Sequence, residues 1–177
     1  VIAFQRTALD VEEAGNGGKI NILIIIFIFL LILPFFYLHQ GLLLIDTGRE
    51  FYIPQQMLMG EILFKDIFNI YGALSYQINA ILFLIFGQKI NVLAIAGIIN
   101  SIIILTVLYF LSREFLNKTI SFLFTLFICF ALVFQTFLYN SNMPYSFAII
   151  YALSSFLLSL LFLIKHIKIC MLLEIVI

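Results

Sequence analysis

Four stretches of this chain, Ile20–Leu38, Ile90–Leu111, Ile120–Leu138 and Pro144–Ile164, run without a single Asp, Glu, Lys or Arg. A helix needs about 20 apolar residues to cross a bilayer core about 30 Å thick, and each stretch has that length. The composition agrees: 64% of residues are hydrophobic and 10% charged, against about 45–50% and about 25% in soluble domains. Too little polar surface is left to face water, so lipid must cover the remainder. The expectation is an all-α, polytopic transmembrane protein. The formal net charge of zero gives no basic patch for nucleic acid and no acidic tail. Cys129, inside an apolar run, reads as a small packing residue, and Cys129 and Cys170 have no metal-ligand spacing.

The remaining segments follow from the spans. Residues 1–19 hold Asp10, Glu12, Glu13 and the breaker run Gly15-Asn16-Gly17-Gly18, and read as a flexible cytoplasmic tail. Pro34 should kink the first span, and Pro144 suits the start of the fourth. Ala73–Phe86 is too short for a crossing and carries Gln77 and Asn79, which fits an interfacial helix; a short fifth span is the alternative. With four spans and the N-terminus inside, six basic residues (Arg6, Lys19, Arg113, Lys118, Lys165, Lys168) are cytoplasmic and three (Arg49, Lys65, Lys89) are outside, as the positive-inside bias requires. This leaves residues 39–89 as one outer loop, a cytoplasmic turn at Ser112–Thr119, an outer turn at Tyr139–Met143 and a tail at 165–177.

The outer loop carries the chemistry. Thr47 and Glu50 have the spacing of a capping box, so a short helix is expected to start there, with Pro54 interrupting or restarting it and Gly60 ending it. Asp46 then sits at the helix N-terminus, where the dipole keeps a carboxylate ionised, at the depth of a lipid phosphate. It can act as a base or simply as a cap. Arg49 can fork onto phosphate oxygens and Lys65 can add a point charge. The plainer alternative pairs Arg49 with Glu50 or Asp46, and Lys65 with Asp66 or Glu61. Phe51, Tyr52, Phe64, Phe68, Tyr71 and Tyr76 read as membrane-interface anchors. His39 and His166 have no partner at ligand spacing, so neither a metal nor another cofactor is expected.

The run Asp46-Thr47-Gly48-Arg49-Glu50-Phe51-Tyr52-Ile53-Pro54-Gln55-Gln56-Met57-Leu58-Met59-Gly60, followed by Leu63-Phe64-Lys65-Asp66-Ile67-Phe68 and Tyr71-Gly72-Ala73-Leu74-Ser75-Tyr76, resembles the first outer loop of the GT-C membrane glycosyltransferases. The likeness is to the branch of protein-mannosyltransferase-like and lipid A aminoarabinose-transferase-like enzymes. It implies two juxtamembrane helices in this loop, Asp46 as catalytic base or acceptor-orienting group, and Arg49, Lys65 and Glu50 as substrate-binding residues, with Arg49 on the donor phosphate. The substrate would be a polyprenyl-phosphate sugar, and the setting a plasma membrane of bacterial inner-membrane type. The sequence departs from the family pattern at Tyr71-Gly72-Ala73-Leu74, which lacks the usual basic residue. It departs again at Asn140-Ser141-Asn142-Met143-Pro144, which lacks an acid. The resemblance covers residues 20–164, the N-terminal third of a typical member, so the chain reads as a truncated piece that is inert alone.

The alternative class is a non-enzymatic polytopic protein, either a transporter fragment or an assembly subunit. A transporter would carry charges near the midplane, and an assembly subunit would show small-residue stripes, for which Ala94, Gly97 and Ser101 are the candidates. The topology is tested by labelling Lys89→Cys in intact cells with a membrane-impermeant maleimide. External labelling is expected, and labelling only after permeabilisation would contradict an outer loop spanning 39–89.

Overall fold

The computed structural model describes residues 2–36, 46–133 and 146–176. Among them the architecture is all-α: α1 Ile2–Phe36, α2 Asp46–Leu58, α3 Ala73–Phe86, α4 Ile90–Arg113, α5 Lys118–Ile128 and α6 Phe147–Val176. A π-helical turn over Cys129–Val133 continues α5. Three segments, Gly17–Pro34, Ile90–Arg113 and Phe147–Ile167, are long and apolar enough to cross a membrane, and they coincide with three of the four expected spans. The fourth, Ile120–Leu138, is helical as far as Val133; its end, His39, the turn Tyr139–Met143 and Pro144 lie outside the described residues.

The arrangement of side chains is that of a membrane protein. On α3, Ser75, Tyr76, Asn79, Ala80 and Phe83 point inward, while Leu74, Ile81, Leu84, Ile85 and Phe86 are exposed. On α4, Asn100 and Ser101 are buried and Ile95, Ile99 and Ile103 are exposed; on α5, Ser121 and Thr125 are buried and Leu123, Phe124 and Phe127 are exposed. Such an inside-out distribution is unfavourable in water. In lipid it is required, because polar groups must find partners within the protein. Many do so locally: the hydroxyls of Ser101, Ser112 and Thr125 donate to the carbonyls of Gly97, Tyr109 and Ser121.

Packing joins the helices into one body. Ile22, Ile25 and Phe29 of α1 meet Leu105 and Tyr109 of α4 and Cys129, so Cys129 is a packing residue. Ile104 and Val107 of α4 pack on Leu157 and Leu161 of α6. Ala94, Gly97 and Ser101 are buried within the bundle, so this small-residue face is occupied by the chain's own helices.

Where the sequence reading places a tail, α1 runs unbroken from Ile2 through Gly15-Asn16-Gly17-Gly18. Each helical glycine costs about 1 kcal/mol relative to alanine. Gly17 and Gly18 are buried: a Cβ on Gly17 would displace the flexible end of the Lys118 side chain, and one on Gly18 would make ordinary contact with the Tyr109 hydroxyl at 3.9 Å. The dipeptide therefore lies on the face of α1 turned to α4 and the start of α5. That start is capped by Asn117, whose Oδ1 accepts from the Ile120 N–H at 2.9 Å.

Between the first two spans lie the two helices that position the candidate site. α2 continues through Pro54, against the expected interruption, and stops before Gly60, whose φ of +102° is readily adopted by glycine. α3 has the bounds expected of the short apolar stretch and ends at Gly87, at φ +87°.

Candidate functional site

The two loop helices are held together by an apolar cluster of Ile53, Ile67 and Tyr76, with Met57, Leu63 and Tyr71 packed around it. A second cluster, Phe83, Leu93, Phe147 and Ile150, ties α3 to α4 and to the start of α6. Phe51 of α2 leans on Phe83, ring centroids 5.1 Å apart. Where these clusters meet, a group of polar side chains is enclosed.

Glu50 is the centre of this group and is 0% exposed. Its Oε1 accepts from the Tyr76 hydroxyl at 3.3 Å and lies 3.5 Å from Arg49 Nη2. The backbone N–H of Phe147, at the start of α6, also faces the carboxylate and lowers its pKa. The capping-box reading is therefore corrected: Glu50 does not reach back to cap α2 but turns inward to α3 and α6. The cause is the amphipathic register of α2, in which Glu50 shares an inner face with Thr47, Ile53 and Pro54. Burial raises the Glu50 pKa above the ordinary value of 4.5, opposed by the Arg49 charge and by hydrogen bonds from Tyr76, the Phe147 backbone and Arg49. Tyr76 is pushed up to about 12, first by burial and then by the Glu50 charge, so its phenol stays protonated and remains a donor.

Arg49 is more open, with 23% of its side chain exposed, and its guanidinium carbon sits 4.4 Å from the centroid of the Tyr71 ring. Ion pair and cation–π contact together fix the plane of the fork. The Tyr76 hydroxyl also lies 3.4 Å from Asn69 Oδ1; with one proton it serves either Glu50 or Asn69 at a given moment. A second link joins α3 to α6: the Tyr151 hydroxyl donates to Asn79 Oδ1 at 2.8 Å. Among the described residues, the buried Glu50 Oε2, Asn79 Nδ2 and Arg49 Nε atoms of the group accept or donate no hydrogen bond, which leaves one acceptor and two donor positions.

Beside this group lies an apolar cavity of about 630 Å³ between α3, α4 and α6. Ile78, Leu82 and Phe86 form one wall, Ile95, Ile99 and Ile103 another, and Tyr151, Ser154 and Ser155 the third; Lys89 also lines it. Its size falls in the range of about 300–1,000 Å³ usual for ligand sites. Tyr151 belongs to both the cavity wall and the polar group.

The structure thus brings Arg49 and Glu50 together and leaves Lys65 apart. Lys65 is exposed in a turn where Asp66 Oδ2 accepts from the Ile62 N–H at 2.9 Å, and among the described residues Lys65 makes no ion pair. Asp46 opens α2; its side chain lies outside what is described. Tyr76, read from sequence as an interface anchor, is completely buried. The sequence reading also missed the roles of Asn79, Tyr151 and Lys89. A usable signal existed: Ser75, Tyr76, Asn79 and Phe83 recur at helical spacing within an apolar stretch, which marks an inner face.

No protein-family model, no curated protein and no solved structure matches the chain.

The raised Glu50 pKa predicts a pH-dependent stability difference. A carboxyl whose folded pKa lies above its unfolded value contributes stability below about pH 4.5 and loses it as pH rises through the folded value. Thermal unfolding in detergent should show the wild type losing ground to Glu50→Gln as pH rises from about 5 to 8. A wild type that gains on the variant over this range would contradict the assignment.

Proposed function

We propose that this chain belongs to a membrane glycosyltransferase that moves a sugar from a polyprenyl-phosphate donor to an acceptor hydroxyl at the outer face of a plasma membrane. The observation that carries this reading is the juxtaposition of an apolar cavity with an Arg-containing polar group, joined through Tyr151. A lipid-linked substrate needs both: apolar walls for its chain, and cations with fixed geometry for its phosphate. The resemblance of the loop around Asp46 and Arg49 to the GT-C enzymes supports the same reading.

In the proposed reaction the acceptor oxygen attacks the anomeric carbon while Asp46 orients the hydroxyl and receives its proton. The bond between the anomeric carbon and the phosphate oxygen breaks, and its electron pair leaves with the polyprenyl phosphate. Arg49, with its plane fixed by Glu50 and Tyr71, would stabilise the charge on that leaving group, the larger share of catalysis in such a step. Lys89, which lines the cavity, would supply a second cation there. Glu50 supports Arg49 and has no direct contact with substrate in this scheme.

Asp46→Asn in the natural protein should lower turnover by about 10²–10⁴-fold while leaving membrane insertion intact, because Asn caps a helix about as well as Asp. Arg49→Lys keeps the charge but loses the fork, and should raise the KM for donor more than it lowers kcat. Transfer of labelled sugar in membrane preparations measures both. Near-normal turnover by Asp46→Asn would leave that residue as a helix cap and remove the proposed base.

A further inference from the structure

Arg49 and Glu50 are adjacent in α2 yet live in different surroundings, one partly open and the other enclosed. Their contact is a single approach of 3.5 Å, longer than the 2.7–2.9 Å of a tight charge-assisted bond. The Glu50 oxygen that faces Arg49 also receives the Tyr76 hydroxyl, while Oε2 is buried with no donor on it. The groups facing the carboxylate are Arg49 from its own helix, Tyr76 from α3, and the Phe147 N–H and Tyr151 from α6. Arg49 is the one cation among them.

We propose that anion binding at Arg49 is coupled to protonation of Glu50: a phosphodiester headgroup takes over as counter-ion to the guanidinium, and Glu50 stays buried as the neutral acid. This rests on the reading of Arg49 as the residue that meets the donor phosphate.

The sign of the coupling follows from electrostatics. Among the described residues, Arg49 is the cation beside the Glu50 carboxylate. A second negative charge beside the buried carboxylate favours its neutral form, and the proton comes from solvent. Glu50 has a place for that proton, because among the described residues no donor reaches Oε2, and protonation there leaves the bond from Tyr76 to Oε1 intact. Burial already biases Glu50 toward the protonated form, so the exchange falls within an accessible pH range. By linkage, a ligand that raises proton affinity must itself bind more tightly when protons are abundant.

Titration calorimetry with dihexyl phosphate, which keeps a single charge throughout, tests this on the purified full-length protein in detergent. Paired buffers of different ionisation enthalpy give the number of protons taken up. The wild type should bind about tenfold more tightly at pH 5 than at pH 9, the effect of a one-unit difference in Glu50 proton affinity between the free and bound states. It should take up protons on binding. Glu50→Gln should bind with the acid-form affinity at every pH and take up none. Wild-type binding without proton uptake would overturn the coupling, a readout that needs no variant to fold. If Arg49→Ala weakens binding but Glu50→Gln keeps the proton uptake, the coupling fails and the reading of Arg49 survives. If Arg49→Ala binds like the wild type, both fall.

Discussion

The rest of this structure depends on enclosing a single carboxylate. Most of the chain offers the surroundings only apolar surface, and packing against lipid gives one apolar residue little preference over another. The apolar clusters bring the loop helices onto the bundle, and the polar contacts set their register. The Glu50 carboxylate draws in the Tyr76 phenol from α3, the Arg49 guanidinium from its own helix and the first N–H of α6. Leaving such a charge buried without partners would cost several kcal/mol, so the three elements converge on it. The Asn79–Tyr151 bond repeats the device one turn further along α3.

This constraint also shapes the space beside it. α3 is tied to α6 through Tyr151, and an apolar cavity lies between α3, α4 and α6 with Tyr151 in its wall. Polar groups near the cavity are largely satisfied from within: Asn100 donates to the Ile150 carbonyl and Ser154 to the Tyr151 carbonyl. The walls can thus accept a hydrocarbon chain without stranding these hydrogen bonds.

Much of the fold was legible in the sequence, because lipid imposes length and polarity rules on single segments. Three spans and both bounds of α3 follow from apolar runs alone, and the stop near Gly60 from a residue suited to positive φ. The site was legible only in part. Arg49 and Glu50 were marked by their position after the first span, but the inward turn of Glu50 depends on contacts with residues 26 and 97 positions away, Tyr76 and Phe147. Lys89 is seen at a cavity only once α3, α4 and α6 are packed together. The Gly17-Gly18 pair shows the same limit. Local propensity says breaker, whereas the pair lies inside α1, on the face turned to Lys118 and Tyr109.

The most direct measurement is a double-mutant cycle between Asn79→Ala and Tyr151→Phe, read as unfolding free energy in detergent. These residues lie 72 positions apart and touch through one 2.8 Å hydrogen bond. If α3 is docked on α6 as described, the two substitutions should be non-additive, with a coupling of about 1 kcal/mol. Strict additivity would mean that the residues are not in contact, and that α3 is not seated on α6 through this bond.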